Sequence, residues 1–371
     1  MKAIDNTTQA FLEFVRAGLW EKEARLDPLD YVDYSVVMRL AEEQSVVGLV
    51  AAGLEHVINI KVPKEVLLQF VGNTLQLEQR NQAMNHFLAE LVDRMRKEGI
   101  YSLLIKGQGI AQCYEKPLWR ASGDVDFFLN DSNFYRAKDF LTPLAISSRV
   151  EGDFGLHQEM IIKTWVVELH GDLRNGLSRK IDRMLEEVQM SVFYRGNVRS
   201  WMNGNTIVFL PCVDDDVIIV FTHIIKHLFN GGIGLRQICD WCRLLWWSKE
   251  ALDKKLLEER VRSMSLMTEW KAFASLAVNY LGMPAEAMPL YSSEKKWICK
   301  SKRIIAFVLD SGNFGHNKDI SYQSKYTGVI RKLITFWKQL KDNLKLSCVF
   351  PVDSFRFLIS FTILRTQKTL Q

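Results

Sequence analysis

The sequence is 371 residues long, which is too long for one simple hydrophobic core and predicts two or three packed lobes. Its hydrophobic fraction of 48% and its charged fraction of 25% are ordinary for a globular protein, so a disordered chain is not expected. The net charge of +5 is mild but unevenly placed along the chain.

The first residues form no uninterrupted apolar segment of the secretory type, and no apolar run reaches the length of a transmembrane helix. We therefore expect a cytoplasmic protein without a transmembrane segment. The six cysteines are scattered, and the one close pair, Cys239 and Cys242, has no second pair at zinc-binding spacing. Reduced thiols are the expected state.

Residues 1–99 are predicted to form helices. Apolar residues recur three and four positions apart in Thr8–Ala17 and again in Tyr34–Glu43. One long amphipathic helix is predicted from Pro63 to Gly99. Its apolar stripe is expected to face the core and contains Leu67, Phe70, Val71, Leu75, Phe87, Leu88, Leu91 and Met95.

The hydrophobic period changes between residues 100 and 212. Asn203-Gly204 predicts a hairpin turn, and a helix is predicted over Ser132–Leu141. Short apolar runs predict strands at Tyr101–Ile105, Val125–Leu129, Glu159–Lys163, Trp165–His170 and Thr206–Leu210. This order of elements predicts a mixed α/β lobe.

The chain returns to a helical pattern after Pro211. One helix is predicted to end at Asn230 and a second to cover Leu235–Trp247, with further helices to the end. The prediction is therefore an α+β fold in which a small mixed-sheet core, residues 100–212, is flanked by helical regions at residues 1–99 and 213–371.

The C-terminal region ends in a basic tail. From residue 325 onward the sequence has nine lysines and arginines but only two acidic residues, Asp342 and Asp353. Such a tail can contact nucleic acid, an anionic lipid surface or only solvent. Because Phe336, Trp337 and Leu340 are interspersed at near-helical spacing, an amphipathic helix packed on the body is the favoured interpretation.

Asp124-Val125-Asp126 opens the predicted strand that ends at Leu129. Alternate side chains of a strand point the same way, so both carboxylates share one face. Such a pair repels unless a cation lies between the two groups, and its hard oxygen ligands suit Mg²⁺. Two aspartates at a solvated strand end would have the same spacing, so the motif alone leaves both interpretations open.

Neighbouring residues strengthen the cation hypothesis. Lys106-Gly107 stands where a predicted strand turns into a helix, a place at which glycine lets the backbone approach a phosphate and lysine adds positive charge. Arg120 and Ser122 precede the aspartates and could reach the same phosphates. An exposed lysine in a strand-to-helix turn is the alternative.

Glu168 is the third candidate carboxylate. It shares one face of its predicted strand with His170, and it completes a two-metal site if that strand lies beside the aspartates. A solvent-exposed glutamate at a strand end is the alternative. His157, just before the preceding strand, is expected to be structural.

These motifs together resemble the uncharacterised bacterial nucleotidyltransferase family of the polymerase-β superfold. The similarity rests on Leu104-Ile105-Lys106-Gly107, on Arg120-Ala121-Ser122-Gly123-Asp124-Val125-Asp126 and on Val167-Glu168-Leu169-His170. It continues into the helices with His223, Lys226 and His227 and then with Arg236 and Asp240. The superfold's usual Gly-Ser pair is replaced here by Lys106-Gly107.

The resemblance implies transfer of a nucleoside monophosphate from an NTP, expected to be ATP, to a hydroxyl acceptor, with release of pyrophosphate. Asp124, Asp126 and Glu168 would bind Mg²⁺ or Mn²⁺, and Lys106 and Arg120 would neutralise the triphosphate. Gly107, Ser122, Gly123 and His170 are expected to line the nucleotide site. A nucleotide-binding regulatory protein of the same fold with little turnover is the alternative.

His223, Lys226 and His227 share one helix face, and Arg236 and Asp240 form a pair four residues apart on the next helix. This set either binds base, phosphate or acceptor, or forms a polar network that only fixes the packing. The acceptor is open among small alcohols, sugars, protein side chains and RNA ends. Nucleic acid is not favoured as a partner, because the core lobe is not basic.

Overall fold

The computed structural model describes residues 5–27, 29, 31–58, 60–151, 156–230, 232–313 and 328–357. The helices are α1 (Asn6–Trp20), α2 (Tyr34–Glu43), α3 (Val47–Leu54), α4 (Lys64–Lys97), α5 (Gly107–Ala111), α6 (Asp131–Leu141), α7 (Arg179–Arg195), α8 (Val213–Asn230), α9 (Leu235–Trp247), α10 (Lys254–Ser263), α11 (Met267–Asn279), α12 (Lys295–Ser311) and α13 (Gly328–Ser347). The strands are β1 (Leu103–Ile105), β2 (Asp124–Phe128), β3 (Ala145–Glu151), β4 (His157–Ile162), β5 (Trp165–His170), β6 (Val198–Asn203) and β7 (Thr206–Pro211).

The seven strands form one mixed sheet in the order β3-β4-β5-β2-β1-β7-β6. The pairs β2–β5 and β1–β7 are parallel, and the other neighbours are antiparallel. Helices precede the sheet in the chain and follow it, so the α+β prediction with a mixed-sheet core and helical flanks is confirmed.

The two faces of the sheet pack differently. Val125, Phe127, Val167 and Leu169 lie on one face and are buried with apolar residues of α4 and α6. Ile105 and Phe128 belong to the other face and join a larger core with both helical flanks. The period of two in β2 thus assigns its apolar residues to two separate cores.

The N-terminal helices cross at very short range. A Cβ atom added to Gly18 of α1 would lie 2.0 Å from the carbonyl oxygen of Leu49, and one added to Gly53 of α3 would lie 2.0 Å from that of Phe14. The two helices therefore approach each other through glycine backbone, and no side chain fits between them.

The first half of α4 differs from the predicted stripe. Leu67, Val71 and Leu75 are 37%, 53% and 54% exposed, whereas Phe70 and Thr74 are buried. This half of the helix buries a narrower face than the sequence periodicity indicates. From Met84 to Met95 the predicted stripe does pack against the sheet.

Strand β3 and helix α7 were not predicted, and strand β6 was indicated only by the hairpin turn at its end. Strand β3 is an edge strand whose Ile146 and Val150 are exposed, so it has no buried apolar alternation. Helix α7 begins with the N-cap Ser178, whose side chain accepts a hydrogen bond from the amide of Ile181, and ends at Gly196 in the left-handed conformation.

Part of the basic tail lies in described structure. Helix α13 covers Gly328–Ser347, with Trp337 exposed and Leu346 buried. Lys325 and residues 358–371 lie outside the described residues. Among the described helices, none combines the length and the apolar character needed to cross a bilayer. All six cysteines are free.

Gly53→Ala is expected to destabilise the protein by about 1–3 kcal/mol, because its methyl group meets backbone of α1 that cannot move aside. Gly72→Ala is the matched control, since nothing lies within 4 Å of a Cβ atom at that exposed position of α4. It should stabilise by about 0.5–1 kcal/mol through helix propensity. Urea unfolding measures both changes, and equal effects would contradict the close crossing.

Glu269 of α11 is fully buried. Burial raises its pKa well above the ordinary range, and the nearby Asp353 carboxylate adds to the effect. The folded protein therefore holds a proton that the unfolded chain releases above about pH 4.3. The associated stability is present below that pH and is lost as the pH rises towards the folded-state pKa.

Glu269→Gln is expected to flatten this pH dependence and to raise the stability at neutral pH by about 1–3 kcal/mol, because the amide is already neutral and needs no proton uptake on folding. Denaturant unfolding at a series of pH values measures the effect. Glu286→Gln, at an exposed position, should leave the profile unchanged. A wild-type stability that rises from pH 5 to pH 8 and matches the Gln variant would contradict the expectation.

Candidate active site

The three predicted carboxylates meet on one face of the sheet. Strands β2 and β5 lie side by side and parallel, with Asp126 directly opposite Glu168. Asp124 stands two residues before Asp126 and shares its face. One carboxylate oxygen from each residue lies within 4.8 Å of the other two. The condition on which the sequence hypothesis depended, adjacency of the two strands, is met.

The position of these carboxylates follows from the sheet. Strand β2 is central, with β1 on one side and β5 on the other, so Asp126 is only 2% exposed. Its carboxylate lies on the face that also carries Ile105 and Phe128 and that meets the helical flanks. A charge at such depth needs compensation by partners.

Lys106 provides part of that compensation. Its Nζ donates a hydrogen bond of 2.8 Å to Oδ1 of Asp126. Lys106 has a φ of +57°, and such a backbone conformation costs a non-glycine residue about 1–3 kcal/mol. Gly107 follows with a φ of +42° beside the carbonyl of Asp124. The strained turn at the end of β1 is thus held next to the aspartates.

Two histidines complete the polar face. His170 Nε2 lies 2.8 Å from Oδ1 of Asp126 and 3.4 Å from Oε2 of Glu168. His157 Nε2 lies 3.1 Å from the same Glu168 oxygen, and the two imidazole rings stack with centroids 4.5 Å apart. The interpretation of His157 as structural missed this contact. Extending the predicted strand β4 back by two residues would have placed His157 opposite His170.

The three carboxylates have different pKa values. The charge of Asp126 and then burial raise the pKa of Asp124 to about 6. Burial raises the pKa of Asp126 too, but Lys106 and His170 outweigh it and hold this pKa below its ordinary value. Burial also raises the pKa of Glu168, but hydrogen bonds from His157 and His170 outweigh this effect and hold the pKa below its ordinary value.

The predicted cationic face of α8 lies beside this cluster. The rings of His223 and His227 are 4.3 Å apart. Burial and then the Lys106 charge lower the pKa of His223 well below its ordinary value. Burial, Lys226 and Lys106 lower the pKa of His227 to about 3. Both imidazoles are therefore neutral at physiological pH, and Lys226 carries the positive charge of this face.

Arg120 is part of a buried network. Its Nε and Nη2 donate to the two carboxylate oxygens of Asp240 at 3.0 and 2.6 Å, and its Nη1 donates to Ser122 Oγ at 2.7 Å. The hydroxyl of Tyr114 donates to Asp240 as well. The guanidinium of Arg120 already donates hydrogen bonds to these protein groups, so its role in neutralising a triphosphate stays a prediction.

Arg236 lies one helical turn before Asp240 on α9. Its Nη1 donates to the carbonyl of Ala121 at 2.9 Å. Burial and then the charge of Arg120 lower its pKa, while Asp240 and Asp124 oppose that change. Two residues of α9 thus hold the segment that leads into β2. Gly123, at the end of this segment, is exposed with open space around it.

Loss of either partner of the Arg120–Asp240 pair should cost about 3–5 kcal/mol, because the other charge stays buried. Arg120→Met with Asp240→Leu should cost less than the sum of the single changes. Urea unfolding of the two single variants and the double variant measures the coupling.

The exposed pair Arg262–Glu258 is the control and should contribute less than about 0.5 kcal/mol. Additive effects of the Arg120 and Asp240 changes would contradict a coupled buried pair.

The structure thus brings two groups of predicted site residues together. Around the carboxylates lie Lys106, Gly107, His170, His223, Lys226 and His227, joined by the missed His157. Beside them Arg120, Ser122, Arg236 and Asp240 form the network that enters β2. The first group has the donors and charges that can hold a cation and an anionic substrate.

Comparison with known proteins adds the family. A family model described as uncharacterised nucleotidyltransferase matches residues 30–282, which is more than half of the chain and includes every residue of the candidate site. No curated protein and no solved structure matches the chain. The chain belongs to this family of uncharacterised nucleotidyltransferases.

Proposed function

We propose that the protein transfers a nucleoside monophosphate from an NTP, expected to be ATP, to a hydroxyl-bearing acceptor and releases pyrophosphate. The observation that carries the proposal is the convergence of Asp124, Asp126 and Glu168, with one oxygen of each within 4.8 Å of the others. Family membership supports nucleotidyl transfer in general.

The donor set fits a divalent cation of the Mg²⁺ type, because all three side chains offer hard carboxylate oxygens. We propose that Asp124, Asp126 and Glu168 hold Mg²⁺ or Mn²⁺. The oxygens concerned accept hydrogen bonds from Lys106, His157 and His170, so a cation competes for atoms that already attract positive charge. When bound, the cation would neutralise triphosphate charge.

The side chains around the carboxylates have separate proposed roles in binding the substrate. Lys106 and Lys226 provide positive charge for the phosphates, and the neutral His223 and His227 can hydrogen-bond to substrate without adding charge. Glu168 stays ionised at physiological pH because its pKa is low. An ionised carboxylate can act as a cation ligand, whereas one of low pKa is a weak general base, so a ligand role is favoured for Glu168.

Asp126→Asn is expected to lower transfer by at least about 10²–10³-fold, since transition-state charge stabilisation by single groups has that magnitude. Asparagine keeps an oxygen that can accept from Lys106, so the fold should persist. The assay uses α-labelled NTP with Mg²⁺ or Mn²⁺ and cell extract as the source of acceptors. Asp139→Asn, an exposed position on α6, is the matched control.

Equal labelling by wild type and Asp126→Asn would contradict the proposal. Nucleotide binding that depends on metal and on Asp126, without transfer of label to any acceptor, would favour the nucleotide-binding regulatory protein. Identification of the labelled product by mass spectrometry would assign the acceptor.

A further inference from the structure

We propose that His157, Glu168 and His170 form a second cation site, made of two nitrogens and one oxygen, that takes Zn²⁺ or a similar transition-metal ion. The three ligand atoms lie within 4.8 Å of one another. Glu168 belongs to both this group, which we call the imidazole site, and the carboxylate triad.

The backbone places these side chains together. His157 and His170 are directly opposite each other on the antiparallel strands β4 and β5, so their rings share one face of the sheet. Glu168 precedes His170 by two residues and points the same way. Since all three ligands come from two paired strands, their spacing is fixed by the sheet and not by a loop.

The observed spacing suits a bound ion. The two Nε2 atoms lie 3.1 and 3.4 Å from one oxygen of Glu168. Tetrahedral Zn²⁺ with bonds of about 2.0–2.1 Å to nitrogen and oxygen holds neighbouring ligand atoms about 3.3 Å apart. The same atoms can therefore bind an ion once the proton on each Nε2 moves to Nδ1 and the rings turn so that both Nε2 lone pairs face the ion.

Access and chemistry agree with this geometry. The side chains of His157, Glu168 and His170 are 22%, 18% and 13% exposed, so an ion from solvent can reach them while the sheet shields them on one side. Imidazole nitrogens favour Zn²⁺, Co²⁺ and Ni²⁺, whereas the oxygen-only triad favours Mg²⁺. The two sites therefore differ in the cation that they select.

Co²⁺ is the probe for the test, because its visible absorption depends on its ligands. Wild-type protein should bind one Co²⁺ with a spectrum of mixed nitrogen and oxygen coordination, in the absence of nucleotide. His157→Ala should weaken binding at this site by at least about tenfold. Asp124→Asn, which alters the triad alone, should keep the spectrum. His86→Ala, at an exposed histidine of α4, is the matched control.

Loss of the Co²⁺ spectrum in Asp124→Asn together with full retention in His157→Ala would overturn the proposal, as would wild-type protein that binds no Co²⁺. If His157→Ala does not fold, X-ray absorption of the Zn²⁺-loaded wild type decides, since an oxygen-only shell contradicts the imidazole site. These measurements need no nucleotide transfer, so the outcome is independent of the proposed activity.

Discussion

The candidate site depends on how the protein keeps several negative charges close together inside a sheet. Asp126 is buried on a central strand, and its neighbours Asp124 and Glu168 have the same sign of charge. Lys106 and His170 both approach the same oxygen of Asp126 at 2.8 Å. Without such partners the charge would be expensive to bury. The strained backbone at Lys106 agrees with this need for a positive partner, because the turn brings the ammonium group of Lys106 to the carboxylate of Asp126.

The opposite face of the same strands explains why the arrangement can be rigid. Val125, Phe127, Val167 and Leu169 are completely or almost completely buried between the sheet and the helices α4 and α6. Polar ligands and apolar anchors therefore alternate along β2 and β5. Any slip of one residue in the pairing would turn the carboxylates into the apolar core, so the hydrophobic contacts also fix the register of the site.

The part of this site that is local in the chain could be predicted from the sequence. Asp124 and Asp126 lie on one strand, and the helices α2, α8 and α9 have the predicted ends at Glu43, Asn230 and Trp247. The period of side chains within a strand or helix is a property of the backbone. Predictions that combined this period with helix-ending residues were confirmed for these elements.

Contacts between elements that are distant in the chain could not be derived in the same way. The approach of His157 to Glu168 depends on the pairing of β4 with β5, and the pairing of Arg120 with Asp240 joins residues 120 positions apart. The exposed residues of α4 show a further limit, since the spacing of Leu67, Val71 and Leu75 indicates a buried face but does not say whether another element covers it.

The bond between Arg120 and Asp240 also bears on how the chain can be divided. Residues 100–212 contain every strand that the structure describes, and α8 begins at Val213. Yet Arg120, in the segment that leads into β2, donates hydrogen bonds to the carboxylate of Asp240 on α9. The carbonyl of Ala121 in the same segment accepts a hydrogen bond from Arg236 of that helix. A fragment that stops at residue 212 would retain the three carboxylates and lose the partners of the segment that positions two of them. The sheet and the helices after it are therefore better treated as one unit for expression and for directed evolution.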